Sequence, residues 1–160
     1  MRRRWLSVLQ RYPHLLEWGY RVTLAMFRGL RPLMARLGYN RVARLLVPVE
    51  RWSKGAIFGC QMCGQCTLHA TGMTCPMTCP KNLRNGPCGG VRPNGHCEVI
   101  PEMPCVWVQA YERSQHMPIF GPEIRHIQPP LDHRLAGTSA WVNLITGRAQ
   151  DTGIVWGEHE

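Results

Sequence analysis

Eight cysteines lie close together in this chain of 160 residues, and thiols at such spacing can do chemistry. All of them fall between positions 60 and 105, at Cys60, Cys63, Cys66, Cys75, Cys79, Cys88, Cys97 and Cys105. Cysteine thiolates bind zinc or iron–sulfur clusters, and thiols also form disulfides or act as nucleophiles. The residues around the cysteines indicate which of these chemistries is favoured.

The spacing of the first cysteines favours metal binding. Cys60, Cys63 and Cys66 are each separated by two residues, which lets a short loop wrap one corner of an iron–sulfur cluster. Cys75 and Cys79 are each followed by proline, as in the bacterial ferredoxin run, whereas zinc is normally bound by two well-separated pairs. Eight thiolates match either two 4Fe–4S clusters or two Zn²⁺ ions, so the count leaves both open.

Flexible turns and cations lie between the later cysteines. Residues 85–90 and 94–97 contain Gly and Asn, which tolerate positive φ and let backbone N–H groups point at a sulfur. Lys81, Arg84 and Arg92 fall in the same window. Cations there would offset the negative charge of thiolate-bound metal or dock an acidic partner.

Disulfides and nucleophilic catalysis are less well supported by the sequence. Disulfide frameworks are typical of exported proteins, but the apolar run Trp5–Leu9 is too short for a signal peptide. No Gly-x-Ser-x-Gly or His-Glu-x-x-His motif occurs, and a nucleophilic cysteine is typically single. We therefore expect a reducing, cytoplasmic or membrane-peripheral location and no catalytic residue. His69 and His96 are expected to form hydrogen bonds or be exposed, because eight cysteines are available as ligands.

The positive charge of the chain is confined to its first third. Residues 1–54 carry eleven Arg and Lys54 against Glu17 and Glu50, which gives 12 − 2 = +10, while the whole chain carries +9. The remaining residues therefore sum to −1. Because no ribonucleoprotein motif or recognition-helix pattern accompanies this charge, nucleic acid is not an expected partner.

The basic region has the pattern of an amphipathic helical arm. Prolines at positions 13, 32 and 48 predict helical segments over 2–12, 14–30 and 32–47, with a further break at 38–40. In the second segment an apolar stripe recurs every three or four residues, at Leu15, Trp18, Val22, Met26 and Leu30. We expect this stripe to pack on the chain's own cysteine region or on a partner subunit. Binding to an anionic membrane surface is the alternative, because Arg beside Trp and Leu is also the interfacial pattern.

The scaffold around the cysteines is expected to be small and irregular. Sixteen Gly and 13 Pro predict a loop-rich chain, and about 250 residues would be needed for a (β/α)₈ barrel. The predicted fold is a small cysteine-rich metal-binding domain, loop-rich α+β with little regular structure, preceded by an α-helical basic arm. A short strand is expected at Val106–Val108. The predicted divisions are a basic helical arm, an eight-cysteine metal core and a Pro-rich extended segment packing on the core, at 1–51, 52–110 and 111–160.

Longer motifs around the cysteines resemble one known family. The runs FGCQMCGQC at 58–66, CPMTCPKNLRNGPCGG at 75–90 and NGHCEV at 94–99 are similar to the C-terminal domain of methylenetetrahydrofolate reductases, as are 105–107 and 129–148. That domain also occurs as the small metal-binding partner subunit of acetogen-type enzymes. The resemblance spans about residues 52–148, and the CPKNLRNGPCGG block is its most specific part.

The resemblance implies an accessory role in one-carbon metabolism. In this family the flavin and folate sites belong to a separate catalytic chain, so this chain is expected to hold neither and not to be an enzyme on its own. It would carry two 4Fe–4S clusters on the eight cysteines and relay electrons from a donor protein towards the reductase. Cys60, Cys63 and Cys66 are expected to share one cluster and Cys88, Cys97 and Cys105 the other, with Cys75 and Cys79 divided between them. The alternative is a structural adaptor stabilised by two Zn²⁺ ions, with no redox role.

Overall fold

A computed structural model of the chain describes residues 11–150, and within them the regular structure is helical. Five α-helices occur there: α1 (Pro13–Gly29), α2 (Arg31–Leu37), α3 (Tyr39–Phe58), α4 (Val106–Ser114) and α5 (Ala140–Ile145). Short 3₁₀ turns lie at Leu68–Thr71, Pro76–Thr78, Gly121–Arg125 and His133–Leu135. Those residues form no β-strand, and an isolated antiparallel bridge joins His96 to Pro104.

The predicted α+β fold class is therefore wrong for the described residues. The expected strand at Val106–Val108 is the first turn of α4 instead. A short apolar run fits a buried strand or a buried helix equally well, and here the buried positions Val106, Trp107 and Ala110 repeat with helical spacing. Between α3 and α4 the chain has only 3₁₀ turns and loops, and these carry all eight cysteines.

The N-terminal helices follow the proline and glycine signals only in part. Pro13 is the first residue of α1, where its fixed φ suits a helix and its missing N–H costs no hydrogen bond. Gly38, with φ 85°, separates α2 from α3 as expected. Pro48 was expected to end a helix, but it lies inside α3. It is exposed there, so the backbone carbonyl that it leaves without a partner can bond water. The first predicted segment lies almost wholly outside the described residues.

An aromatic core holds α1 against α5. The ring of Trp141 stacks on Phe27, with centroids 5.3 Å apart, and lies 5.1 Å from the ring of Tyr20. Glu17, on the same side of α1, is fully buried and accepts hydrogen bonds from the backbone N–H groups of Ile119 and Phe120, at 3.0 and 2.5 Å. The C-terminal third of the described chain is thus attached to the inner face of α1.

The apolar stripe predicted on α1 faces away from this core. Trp18 is 61% exposed and Leu15 is 59% exposed, whereas Tyr20 and Phe27 are buried. The expectation that the stripe packs on the chain's own cysteine region is therefore wrong. The helix is apolar on two faces, and the face that carries large aromatic rings is the one that meets Trp141. Periodicity alone does not distinguish two such faces.

Residues after α4 wrap over the cysteine loops. The N–H of Gly137 donates to the carbonyl of Met62 at 2.7 Å, and the N–H of Asp132 donates to Oε1 of Gln65 at 2.7 Å. Gln65 is buried, and its Nε2 donates to the carbonyl of Ala149 at 3.0 Å. The loop that carries the first three cysteines is thereby held between α3 and the C-terminal segment.

Candidate functional site

The eight cysteines divide between two cavities. One cavity, here called the first cavity, is lined by Cys60, Cys63, Cys66 and Cys75. The other, the second cavity, is lined by Cys79, Cys88, Cys97 and Cys105. All eight cysteines are free thiols in the structure. The three cysteines that the resemblance assigned to one cluster, Cys60, Cys63 and Cys66, line the first cavity together with Cys75. The three assigned to the other cluster line the second cavity together with Cys79.

The loop of the first cavity begins where α3 ends. Gly59 adopts the left-handed conformation, with φ 65°, and turns the chain out of the helix directly before Cys60. The N–H of Met62 then donates to Sγ of Cys60 at 3.3 Å. Gly64, with φ 77°, makes the next turn between Cys63 and Cys66. These turns let three thiols that are close in sequence face the same space.

A single 3₁₀ turn links the two cavities. Cys75 precedes the turn Pro76–Thr78, and Cys79 follows it. The Thr78 hydroxyl donates to the carbonyl of Cys75 at 2.7 Å, and the N–H of Cys79 donates to the carbonyl of Pro76 at 3.0 Å. Pro76 presets φ at the start of this turn. The two cysteines that flank the turn line different cavities.

Burial disfavours ionisation of three of the thiols that line the first cavity, Cys60, Cys66 and Cys75. It raises the pKa of Cys75 to about 12, with a further contribution from Cys60. Burial is also the largest cause of the raised pKa values of Cys60 and Cys66. A buried thiolate is costly unless a cation compensates it, so these thiols need a positively charged occupant or neighbour to ionise.

Two buried cations border the first cavity. Burial lowers the pKa of the Lys54 ammonium, but Cys66 and Glu50 together more than offset this effect, so its pKa is raised overall. Arg84 is 8% exposed, and it donates from Nε to the carbonyl of Pro129 at 2.6 Å and from Nη2 to the carbonyl of Gln65 at 3.2 Å. Both side chains line the cavity, as does Glu50, the ion-pair partner of Lys54. Apart from the thiols, the charged lining residues therefore sum to 2 − 1 = +1, which favours an anionic occupant.

Unpartnered polar atoms support that conclusion. Among the described residues, Nη1 of Arg84 and Oγ1 of Thr67 are buried and lack a hydrogen-bond partner. Both residues line the first cavity. Buried donors of this kind are normally satisfied, and the sulfides and thiolates of an iron–sulfur cluster are acceptors for such donors. The residues present thus fit a thiolate-bound cluster.

The second cavity is lined by one exposed thiol and by one cation and one carboxylate, Lys81 and Glu98. Cys97 and Cys105 are buried, whereas Cys88 is exposed and its Sγ lies 3.6 Å from Oε1 of Glu98. Glu98 also forms an ion pair with Lys81. The N–H of Cys97 donates to the carbonyl of Met103 at 2.9 Å, which fixes the loop between the last two cysteines.

The cysteines are not drawn together as single-ion ligands. No group of three or more Cys, His, Asp or Glu side chains in residues 11–150 is placed to hold one metal ion. A tetrahedral zinc ion with Zn–S bonds of about 2.3 Å would hold its sulfurs only about 3.8 Å apart. The predicted metal-binding domain therefore has no preformed single-ion site among these residues, and each set of four thiols instead lines a cavity. That the thiols bind metal stays a prediction.

The two histidines named from the sequence, His69 and His96, lie outside both cavities, as does Arg92, whereas Arg84 lines the first cavity and Lys81 the second. His69 stacks on Tyr20 with centroids 5.4 Å apart, and Nε2 of His69 lies 3.3 Å from Glu123. Nδ1 of His96 lies 2.7 Å from the carbonyl of Pro101. The sequence did not indicate that Thr67 and Lys54 line the first cavity. The one available signal was the position of Lys54, six residues before the first cysteine.

A mainly helical scaffold with two four-cysteine cavities defines a small cysteine-rich domain. A family model described as methylene-tetrahydrofolate reductase C terminal matches residues 39–134, and the chain belongs to this family. This match confirms the resemblance drawn from the cysteine motifs, and it covers α3, α4 and all eight cysteines. Comparison with curated proteins and with solved structures gave no match. Among the described helices, none combines the length and apolar character that crossing a bilayer requires.

Proposed function

We propose that this chain is an iron–sulfur electron-transfer subunit that works with a separate methylenetetrahydrofolate reductase catalytic chain. The observation that carries the proposal is the division of eight free thiols into two sets of four, one set around each cavity. Four thiolates are the ligand set of a 4Fe–4S cluster. Membership of the reductase C-terminal family supports the choice of partner.

The proposed ligands of one cluster are Cys60, Cys63, Cys66 and Cys75, and those of the other are Cys79, Cys88, Cys97 and Cys105. When bound, each cluster would supply one-electron redox chemistry. The chain's own residues would hold the sulfurs in place, exclude water from the first cavity and compensate negative charge through Lys54 and Arg84. The cations matter because each thiolate adds a negative charge to a buried site.

The shared turn supports electron exchange between the two sites. Cys75 and Cys79 are four residues apart, and four residues span at most about 14 Å even when fully extended. The 3₁₀ turn between them shortens that distance further. A groove between α3 and the start of α4 is lined by both of these cysteines and by Trp52, Met77 and Met103, which gives a partner access to both sites.

Metal and sulfide analysis of the anaerobically purified chain tests the proposal. We expect about eight iron and eight sulfide per chain, with a broad absorption at about 400 nm that decreases on dithionite reduction. Mixing the reduced protein with the reductase catalytic chain should then reduce the flavin of that chain. Two zinc ions with no visible absorption would contradict the proposal and identify the chain as a structural adaptor.

A further inference from the structure

The outer surface of α1 and α2 is apolar along its length. Seven large apolar side chains there are each 40% or more exposed: Leu15, Trp18, Val22, Met26, Leu30, Leu33 and Leu37. Those on α1 recur every three or four residues, so they form one stripe opposite Tyr20 and Phe27. Contiguous exposed patches of this kind mark interaction surfaces.

The charge around this stripe is entirely positive. All eight arginines between positions 11 and 51 are exposed. The two carboxylates of the same region, Glu17 and Glu50, are 0% and 4% exposed because both bond to the C-terminal residues. The described surface of α1, α2 and the first half of α3 therefore presents arginine with no accessible carboxylate.

The positive charge beside the stripe indicates which kind of partner can bind there. A second copy of the chain would bring the same cationic surface against itself, and like charges across an interface disfavour association. An occupant must therefore offer anions together with apolar groups. The surface of an anionic bilayer offers both, because lipid phosphates accept from guanidinium groups while Trp, Leu and Met enter the acyl boundary.

A lipid surface fits this face better than an acidic protein does. Protein interfaces fix their register with about one hydrogen bond per 100–200 Å², from varied donors and acceptors. The stripe itself contains only apolar side chains, and the charged groups beside it are of one kind and one sign. A helix with these properties lies in the plane of the membrane interface.

We propose that α1 and α2 bind the chain to anionic membrane surfaces, with the stripe Leu15–Leu37 buried in the headgroup and acyl boundary. The opposite face of α1 packs on Trp141, which in turn lies beside Lys54 at the first cavity. Bound in this way, the cysteine cavities lie on the side of α1 that faces away from the lipid. The proposal does not depend on which metal the cysteines hold.

Vesicle co-sedimentation of the full chain tests this inference. We expect binding to vesicles that contain phosphatidylglycerol, and binding weaker by about tenfold or more to pure phosphatidylcholine or at high salt. The triple variant Trp18→Ser/Val22→Ser/Met26→Ser should lose about tenfold or more in binding, because these side chains supply the apolar contact. The matched control is Val99→Ser/Tyr111→Ser/Ile127→Ser, which removes three exposed apolar residues outside α1 and α2 and should bind normally.

Several outcomes would overturn the proposal. Equal binding to neutral and anionic vesicles, no binding at all, or equal binding by the two triple variants would each do so. Light scattering tests whether the stripe instead binds a second copy of the chain. A wild-type dimer that becomes monomeric in the triple variant Trp18→Ser/Val22→Ser/Met26→Ser would assign the stripe to self-association. Loss of binding to the reductase catalytic chain in that variant, without vesicle binding by the wild type, assigns it to an acidic protein. Circular dichroism checks that both variants keep their helix content.

Discussion

Nζ of Lys54 lies 2.8 Å from Oε2 of Glu50 one turn earlier on α3, and both side chains are buried. Glu50 also accepts hydrogen bonds from the Ser139 hydroxyl and from the backbone N–H groups of Ala140 and Trp141, at the start of α5. One carboxylate thus joins α3 to α5 and holds the Lys54 ammonium at the edge of the first cavity. Glu50 is placed to stabilise both the fold and the site.

The first prediction concerns this carboxylate. Glu50→Ala should lower the free energy of unfolding by about 3–5 kcal/mol, because it leaves a buried ammonium and the first N–H groups of α5 without a partner. Glu50→Gln should cost less, since its carbonyl oxygen still accepts hydrogen bonds. Urea denaturation followed by circular dichroism measures both. Glu102→Ala, at an exposed position, is the control, and an equal effect of the two alanine variants would contradict the assigned role.

A second prediction tests how closely the C-terminal segment covers the first cysteine loop. A Cβ atom at Gly64 would collide with the backbone carbonyl of Leu135, whereas a Cβ atom at Gly86 would meet nothing within 4 Å. Both glycines have positive φ, 77° and 69°. Gly86→Ala should therefore cost only the backbone penalty of about 1–2 kcal/mol. Gly64→Ala should cost about 1–3 kcal/mol more, because backbone must move.

Thermal unfolding of the two variants gives the comparison, and limited proteolysis locates the change. Cleavage in residues 126–137 should become faster in Gly64→Ala and stay unchanged in Gly86→Ala. Equal melting temperatures for the two variants would show that residue 64 has room for a side chain and that the contact with Leu135 is loose.

The third prediction separates the two cavities. If each set of four thiols holds its own cluster, Cys66→Ser should lower the iron content from about eight to about four per chain, and Cys97→Ser should do the same. The double variant should retain almost no iron. Iron and sulfide analysis of anaerobic preparations measures all three. Loss of all iron in either single variant would instead indicate a site shared between the cavities.

The cysteine motifs were sufficient to identify the family, whereas the fold class could not be predicted from the same residues. Spacing such as Cys60-x-x-Cys63 reflects the local geometry that a set of metal ligands requires. It can therefore be recognised in the sequence without knowing the tertiary packing. Val106–Val108 illustrates the opposite case, since a three-residue apolar run carries no period of its own. The helix there became evident only once Ala110 and Ser114 were seen to continue the buried face.

Long-range contacts account for the remaining failures. The pairing of Phe27 with Trp141 selects which apolar face of α1 is buried, and these residues are 114 positions apart in the sequence. In the same way, Arg84 meets Pro129 and Gln65 through backbone carbonyls, which no motif records. Local patterns therefore predicted the helices of the arm but not the direction in which their faces point.

A fourth prediction concerns Arg84 and the redox potential of the first cavity. A cation near a cluster favours the reduced state, which carries one more negative charge, so Arg84→Gln should lower the potential of one of the two clusters. With an effective dielectric constant of about 20 and a separation of roughly 8 Å, the lost interaction is about 2 kcal/mol, or on the order of 50–100 mV. Arg84→Lys should keep most of the wild-type value.

Redox titration monitored by electron paramagnetic resonance measures the two potentials separately. Arg92→Gln is the control, because Arg92 is an exposed cation outside the residues that line the first cavity. If Arg84→Gln leaves both potentials unchanged while iron content is retained, Arg84 has a structural role only, through its bonds to Pro129 and Gln65.

The last prediction concerns pH and His69. Burial lowers the pKa of His69, which packs on Tyr20, while burial raises the pKa of the neighbouring Glu123. An unfolded histidine has a pKa of about 6.5, so below this pH the unfolded chain takes up a proton that the folded chain does not. The contribution of His69 to stability is therefore complete above about pH 6.5 and is lost as the pH falls from there towards the folded pKa. The raised pKa of Glu123 acts in the opposite sense, because it favours the folded state at low pH.

Comparing the pH dependence of stability in wild type and variants isolates the contribution of His69. Urea denaturation between about pH 5 and 8 should show that the unfolding free energy of wild type falls more steeply below pH 6.5 than that of His69→Phe, with a difference in slope of at most about 1.4 kcal/mol per pH unit. Phenylalanine keeps the ring packing against Tyr20 but cannot be protonated. His133→Gln, at an exposed position, should leave the wild-type slope unchanged. Identical slopes for wild type and His69→Phe would show that His69 is protonated equally in both states and that its burial does not affect its charge.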